Sequence, residues 1–506
     1  MKRIKSRGAL VAALSVAALS VSLHAQVSSA PAQANAAEPT AAEWRKIAEE
    51  DVRAAYDIYV ANHPGMYDPA NKRFPQKLER ARDAALKLAA QASDPGGYAN
   101  ALGAFSAELN DGHAQATAKS AVSSTMTQRE WPSFVAAWRG DRVVVQHAVA
   151  NFPIPIGAEI TACDGKPAAE FIKQRLLYRG FRPNETGHWW ARAPQAFYSG
   201  SGFTAGRPQK CTFRIAGSPD RELKLDYVPA PENLPALLRS ASDGERTPIG
   251  LTETRPGIFV VGLPDFQPDD ASVKAYRALF ETLRARKGEL HKARAVVLDL
   301  RHNNGGSSSW SHQTAQALWG EEAFDPRIKN YFKDVRIWWR ASEGNVAYMS
   351  EMEANIRKAG NNAERTRITG EGMKAALAKG ERFYVEGANK TGEAVPTPAS
   401  EFKVPVYVIT PGGCASACLD AVDAFKQFDN VKLIGAPTSG DSTYMEVRVT
   451  DLPSGKGRIV IPNKVWMNRP RGSGEVYRPD IEVRDVDWST STFLNHIERD
   501  LAKAKS

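Results

Sequence analysis

The chain has 506 residues, of which 42% are apolar and 24% are charged. This length and composition are typical of a globular protein with two or three domains and exclude a fibrous or disordered chain. The formal net charge of +9 falls to +5 when residues 1–25, which hold four cations and no acidic residue, are set aside. The other Lys and Arg residues are mixed with Asp and Glu and form no basic block, so the charge pattern argues against nucleic-acid binding.

The N-terminus has the pattern of a secretory signal peptide. A basic head precedes an apolar stretch at residues 8–23, and Ala25 is a suitable cleavage residue. We predict a signal peptide over residues 1–25 and a flexible leader over 26–40, with cleavage after Ala34 as an alternative. No later segment is apolar for long enough to span a membrane, so no stable membrane insertion is expected after cleavage. The predicted location is periplasmic or secreted.

Four cysteines in an exported protein permit disulfide bonds. Of the three possible pairings, neighbourhood in the sequence favours Cys163–Cys211 together with Cys414–Cys418. A metal site is the weaker interpretation, because no histidine lies at ligand spacing from either pair.

The region after the leader has helical periodicity. Apolar residues recur at helical spacing over residues 41–90, and a further helix is predicted over 98–109. The turn sequence at 110–113, which ends in His113, follows directly. We predict a helical N-terminal domain over residues 41–128. A single histidine in a loop is usually a surface residue, so on this pattern alone His113 carries no role.

Residues 129–232 are predicted to form a β-rich module. Short runs of β-branched residues alternate with turns, and one helix is expected over 168–177. The segment 154–167, IPIGAEITACDGKP, resembles the hairpin of a PDZ domain, which binds extended peptides by adding them to a sheet edge. A purely structural β module is the alternative. Residues 189–198, which contain two tryptophans, are interpreted as an insertion.

Strands and helices alternate from Gly257 onward. Apolar runs rich in β-branched residues predict strands at residues 258–261, 295–300, 404–409 and 431–435. The amphipathic segments between these runs predict helices, which indicates an α/β core with parallel pairing. In such sheets, sites form at the carboxyl ends of strands, where the Gly-rich turns at 303–306 and 411–413 fall.

The α/β domain is assigned to residues 248–488, and a C-terminal helix to 489–506. Residues 321–401 interrupt this domain and contain Trp338 and Trp339. Two interpretations of the interruption remain open: a wall of the active-site cleft, or a surface insertion without contact to the site.

Ser416 is predicted to lie at a turn from strand to helix. Pro411 and two glycines end the apolar strand, and a helical apolar stripe begins at Leu419. At such a turn a hydroxyl lies near free backbone N–H groups and the positive end of the helix dipole, which suits a nucleophile. The alternative is that Ser416 only caps the helix, since serine is favoured at that position.

Several motifs resemble one family in their order along the chain. Residues 297–306, VLDLRHNNGG, resemble the D-L-R-x-N-x-G-G signature of the C-terminal processing peptidases, the tricorn core protease and the interphotoreceptor retinoid-binding repeats. Residues 414–420 resemble the nucleophile segment of that family, and 434–440 and 477–483 resemble the two segments that follow it. Two further matches resemble the N-terminal region of the branch that uses a histidine: His63-Pro64 and Asp111-Gly112-His113.

The resemblance implies a ClpP/crotonase-like α/β core and serine peptidase activity. Ser416 matches the nucleophile. The amide of Ala417 and one amide of the Gly305-Gly306 turn match the oxyanion hole, where glycine allows close approach of the backbone to the substrate.

One departure from the family pattern decides the expected base. The processing peptidases have a lysine at the position that Asp441 occupies here, and an ordinary carboxylate is a poor base toward a serine hydroxyl. The resemblance therefore implies the histidine-using branch, with His113 as the base. Glu475 or Glu446 is expected to orient His113, and the sequence does not choose between them.

We therefore expect an exported serine peptidase that acts on a peptide or protein substrate and implies no metal or organic cofactor. The alternative is a catalytically inactive protein that binds an apolar ligand or a peptide on the same fold, as the retinoid-binding relatives suggest. The sequence does not indicate an oligomeric state.

Overall fold

The computed structural model describes residues 38–119, 122, 129–198, 206–387 and 392–504. The predicted signal peptide and most of the predicted leader lie outside these residues. In the described ranges, no helix is long and apolar enough to cross a membrane.

The helices of the described part are α1 (Ala41–Asn62), α2 (Phe74–Ala89), α3 (Pro95–Leu109), α4 (Ala168–Leu176), α5 (Thr186–Arg192), α6 (Leu234–Asp243), α7 (Asp270–Ala285), α8 (Lys287–Leu290), α9 (Ser309–Trp319), α10 (Glu321–Tyr331), α11 (Glu343–Lys358), α12 (Glu364–Ala378), α13 (Ala417–Phe425) and α14 (Thr490–Lys503).

The strands are β1 (Gln115–Ala118), β2 (Glu130–Trp131), β3 (Phe134–Arg139), β4 (Arg142–Ala148), β5 (Glu159–Cys163), β6 (Lys166–Pro167), β7 (Lys210–Arg214), β8 (Arg221–Lys224), β9 (Val228–Pro229), β10 (Gly250–Arg255), β11 (Ile258–Gly262), β12 (Ala295–Asp299), β13 (Arg336–Arg340), β14 (Phe383–Glu386), β15 (Val406–Thr410), β16 (Val431–Gly435), β17 (Tyr444–Asp451), β18 (Gly457–Met467) and β19 (Ile481–Glu482).

The central sheet has the strand order β10-β11-β12-β15-β16-β19. Every pair from β11 to β19 is parallel, and β10 is antiparallel to β11. The register places Leu298 of β12 beside Val408 of β15, and Val408 beside Leu433 of β16. The predicted α/β core with parallel pairing is therefore confirmed.

The central strands are apolar along their whole length because both faces of the sheet are covered. Val297 and Ile409 face a core shared with the second sheet, whereas Val296 and Val408 face a core that includes helix α13. Since β12 and β15 are parallel neighbours, the Gly-rich turns that follow them emerge at the same edge of the sheet.

A second, antiparallel sheet has the order β3-β4-β5-β7-β8, with β6 paired to β5. It lies within the predicted β-rich module at 129–232. Helix α4 agrees with the helix expected over 168–177. The Cys163–Cys211 disulfide joins directly opposed positions of β5 and β7.

A third sheet, β1-β18-β13-β14 with β17 on β18, joins distant parts of the chain. Helices α1 to α3 pack against it, and the Tyr59 hydroxyl donates to the Val460 carbonyl at 2.7 Å. The interruption at 321–401 contributes β13 and β14, with Trp339 buried and Trp338 half-buried. Because β1 follows the turn after α3 and pairs with β18, this sheet places that turn beside the C-terminal part of the chain.

Candidate active site

Ser416 lies between strand β15 and helix α13, as the sequence predicts. Its backbone has φ 55° and ψ −127°, a conformation that costs a non-glycine residue about 1–3 kcal/mol. Ser416 occupies the N-cap position of α13, yet its side chain makes no capping bond to the described helix. The interpretation of Ser416 as a cap alone therefore lacks its hydrogen bond, and the strained turn points to a functional hydroxyl.

Two further contacts hold this turn. The Cys414–Cys418 disulfide brackets Ser416, with its Cα atoms 5.3 Å apart. Asp441 Oδ2 accepts a hydrogen bond from the Ser416 amide at 2.8 Å, and Arg471 Nη1 lies 3.6 Å from the same oxygen. Asp441, at the position where the resemblance implied a lysine, thus holds the backbone of the nucleophile turn.

The glycine turn after β12 lies directly against Ser416. A Cβ atom on Gly305, whose φ is 108°, would lie 2.8 Å from Ser416 Cβ and 3.1 Å from the Ala417 amide nitrogen. The Gly305 amide donates to Asn303 Oδ1 at 2.9 Å. The amides of Gly306 and Ala417 have no acceptor among the described residues. Of the three predicted oxyanion-hole amides, those two are therefore free to bind a substrate oxygen.

The strand end before this turn is fixed by a buried ion pair. Arg301 Nη2 lies 2.6 Å from Asp299 Oδ2, and both side chains are fully buried. Arg301 Nη1 also donates to the Trp488 carbonyl at 2.7 Å. These contacts hold the end of β12, on which the position of the glycine turn depends.

His113 and Ser416 line one cavity of about 1150 Å³. His113 lies on the turn after α3, where Asp111 Oδ1 accepts a bond from its backbone amide at 2.9 Å. The side chain is half-buried, and its Nδ1 atom has no partner among the described residues. The fold thus brings to one cavity two residues about 300 positions apart, while no described residue of 321–401 lines it.

An ion pair that the sequence analysis did not single out lies between the His113 turn and the loop before Asp441. A Cβ atom on Gly112 would lie 3.1 Å from Arg182 Nη1, and Arg182 Nη2 donates to Ser439 Oγ at 3.0 Å. Glu185 Oε2 accepts from Arg182 Nη2 at 2.9 Å and from the Ser439 hydroxyl and the Gly440 amide at 3.0 Å each. No local motif reveals this network, because Glu185 and Ser439 are 254 positions apart.

His188 packs beside this ion pair in a neutral form. The Arg182 amide donates to His188 Nδ1 at 3.3 Å. Burial, together with repulsion from the guanidinium groups of Arg182 and Arg192, lowers the pKa of His188 to about 2. His188 is therefore a structural acceptor rather than a proton carrier.

The two acids expected to orient His113 lie elsewhere. Glu475 is exposed, and its Oε2 accepts from the Gly472 amide at 2.7 Å. Glu446 Oε2 lies 3.2 Å from Lys464 Nζ. Neither is among the described residues that line the cavity. His113 and Ser416 thus line the same cavity, and both carboxylates lie outside its described lining.

The bracketing disulfide leads to a testable prediction. Replacing Cys414 and Cys418 together with serine should lower kcat for any reaction that uses the Ser416 hydroxyl, because the strained turn that presents Ser416 loses its covalent brace. The matched control is the double replacement of Cys163 and Cys211, which brace β5 and β7 away from Ser416. Mass spectrometry of the protein purified without reductant should find both pairs oxidised. Free thiols at 414 and 418, or equal kcat values for the two double variants, would contradict the prediction.

Among the residues that the structure describes, no group of three His, Cys, Asp or Glu side chains is placed to hold a metal ion.

Comparisons with known proteins identify similar folds. The sequence profile of peptidase family S41 matches residues 257–483. The structure of mature CPAF complexed with lactacystin superposes with a TM-score of 0.60 at 14% identity, covering 91% of this chain and 98% of that chain. Mature CPAF alone gives a TM-score of 0.58 at the same identity and coverage. Comparison with curated proteins gives no match. At such identity the structural likeness establishes the fold alone, and it extends well beyond the matched domain.

Proposed function

Because this chain carries a peptidase family S41 domain at residues 257–483, we propose that it is a serine peptidase that hydrolyses peptide or protein substrates through Ser416. The match confirms the resemblance to the C-terminal processing peptidases and supports peptidase activity. The observation that carries the assignment of the nucleophile is the strained turn at Ser416, which lines one cavity with His113.

In the proposed reaction, the imidazole of His113 accepts the proton of the Ser416 hydroxyl as Oγ attacks the scissile carbonyl carbon. The carbonyl oxygen becomes an oxyanion, and the free amides of Gly306 and Ala417 are the donors that stabilise it. The protonated imidazole then gives its proton to the leaving amine. Water hydrolyses the acyl-enzyme by the same proton route, which regenerates both side chains.

Asp441 is proposed to position the nucleophile rather than to accept its proton. Its carboxylate already accepts a hydrogen bond from the Ser416 amide. A carboxylate is also a weaker base toward a serine hydroxyl than an imidazole is. The replacement of the family lysine by Asp441 therefore supports His113 as the base.

The location and domain organisation belong to the same proposal. The pattern of residues 1–25 and the two disulfides support a site of action in the periplasm or outside the cell. The antiparallel sheet within 129–232 is proposed to be a PDZ-like module, and the central sheet within 248–488 a ClpP/crotonase-like core. Residues 41–128 would then form the helical N-terminal domain.

A fluorophosphonate probe tests the nucleophile directly. The wild-type protein is expected to be labelled at Ser416, because an activated serine hydroxyl displaces fluoride from phosphorus. Tryptic mass spectrometry locates the modified residue, and Ser416→Ala is the negative control. A matched control is Ser311→Ala, since Ser311 is buried on α9 and donates to the Ser308 carbonyl. A folded wild-type protein that takes no label would instead be the inactive binding protein.

A further inference from the structure

Helix α5 is fixed against the nucleophile turn. A Cβ atom on Gly187 would lie 2.4 Å from the Thr438 carbonyl oxygen, and one on Gly412 would lie 2.5 Å from the Gly187 carbonyl oxygen. Backbone packs on backbone at these positions, so α5 cannot shift without displacing the segment that leads to Ser416. The last residue of α5, Arg192, therefore has a defined position relative to Ser416.

Arg192 lines the cavity, where the Asp243 carboxyl attracts its guanidinium without forming an ion pair with it. Its guanidinium makes no hydrogen bond or ion pair with any residue that the structure describes. Arg182, which lines the same cavity, is neutralised by Glu185 at 2.9 Å. Burial lowers the pKa of Arg192, and repulsion from Arg182 adds to the effect. An unpaired, partly desolvated guanidinium is costly, and a bound anion would relieve that cost.

Helix α6 and the residues after it add two further arginines to the lining of the cavity. The Ser242 hydroxyl donates to the Ala191 carbonyl at 3.1 Å, which ties α6 to the end of α5. Arg239 on α6 and Arg246 just beyond it also line the cavity, and neither forms an ion pair with a described carboxylate. Arginine presents a planar fork of donors that matches a carboxylate.

The acidic residues of the cavity do not neutralise these arginines. Burial raises the pKa of Asp243 to about 7, against the opposing effects of Arg139, Arg192 and Arg239, so this carboxyl is only partly ionised at neutral pH and offsets only part of the charge of the arginines. Asp441 Oδ2 accepts a hydrogen bond from the Ser416 amide, and Asp265 Oδ1 accepts one from the Gln267 amide at 2.9 Å. Glu232 is exposed at the rim. The wall of Arg192, Arg239 and Arg246 thus keeps positive charge.

We propose that this arginine wall binds the side-chain carboxylate of a glutamate or aspartate in the substrate, near the bond that is cut. The proposal rests on the peptidase function and adds the substrate class to it. A bidentate bond from Arg192 to the carboxylate would neutralise the unpaired guanidinium, whereas a lysine or arginine side chain would be repelled.

The test uses pools of N-acetylated, C-amidated decapeptides that differ only in carrying Glu or Gln at one position. Cleavage is followed by mass spectrometry with wild type, Arg192→Gln, Arg192→Lys and Arg246→Gln. At one position wild type should show about tenfold higher kcat/KM for Glu than for Gln, as loss of a charge-assisted bond predicts. Arg192→Gln should abolish this preference, and Arg192→Lys should retain part of it. The matched control is Arg45→Gln, because Arg45 is exposed on α1 and does not line the cavity; this variant should leave the preference for Glu unchanged.

Each outcome separates this inference from the peptidase function. Cleavage with fluorophosphonate labelling but no preference for Glu would overturn the inference alone. The same holds if Arg192→Gln and Arg246→Gln, with unchanged Tm, keep the full preference. A preference only for a free C-terminal carboxylate over the amide would also overturn the side-chain assignment. The absence of both cleavage and labelling would overturn the peptidase function itself.

Discussion

Replacing His113 with alanine is expected to lower kcat for peptide hydrolysis about as much as replacing Ser416, by about 10⁴-fold or more. The two side chains line one cavity, and the proposed reaction needs the imidazole in both the acylation and the deacylation step. Members of such a pair act as a unit, so the double variant should be hardly slower than either single variant. Steady-state kinetics with an internally quenched peptide measure all three.

The control for this experiment is His496→Ala. His496 lies on α14, with its Nε2 atom 2.7 Å from Asp485 Oδ2, and does not line the cavity. Its kcat should equal that of wild type. Full activity of His113→Ala would disprove the assignment of the base. The next candidate would be His302, which lines the same cavity and has its Nε2 atom 3.0 Å from the Gly244 carbonyl oxygen.

Replacing Gly305 with alanine is expected to lower kcat by about 10²-fold or more, because the glycine turn and Ser416 cannot both keep their positions. The added Cβ would lie 2.7 Å from the Ala415 carbonyl oxygen and 2.8 Å from Ser416 Cβ. The φ of 108° at Gly305 is also unfavourable for any residue with a side chain. Kinetics and fluorophosphonate labelling should both report the displaced nucleophile.

Gly217→Ala separates this steric effect from the general cost of replacing a glycine. Gly217 also has a positive φ, of 74°, but a Cβ atom there meets nothing within 4 Å. This variant should lose only about 1–2 kcal/mol of stability, visible as a lower Tm, with unchanged kcat. If Gly305→Ala kept the wild-type kcat, the close packing of this turn on Ser416 would have no catalytic importance.

Local patterns predicted the elements that carry the nucleophile. The continuous apolar run at residues 404–409, the glycines that follow it and a helical stripe from Leu419 place Ser416 at a strand-to-helix turn, and the structure shows that turn. The parallel pairing of β12 and β15 also follows from alternating strands and helices. Both disulfide pairings agree with the neighbourhood of the cysteines in the sequence.

Hydrogen-bond partners within the site were beyond the reach of sequence patterns. Glu475 and Glu446 have suitable chemistry to orient a histidine, yet the structure pairs them with the Gly472 amide and with Lys464. The resemblance indicated the Gly305-Gly306 turn without distinguishing its two amides. In the structure, the Asn303 side chain accepts a hydrogen bond from the amide of Gly305. A shift of about 1 Å decides such pairings, and side-chain type and spacing do not encode it.

The sequence by itself determined the secondary structure around Ser416, the order of the family motifs and the presence of Asp441 where the family motif has a lysine. These properties depend on near neighbours in the chain, whose periodicity and turn chemistry are visible locally. Only the tertiary structure decided that Asp441 holds the Ser416 amide, that Glu185 joins Arg182 to the loop before Asp441, and that Arg192 lines the cavity without a hydrogen-bond partner among the described residues. Those contacts form when packing brings distant segments together, so burial and partner geometry, rather than local pattern, select them.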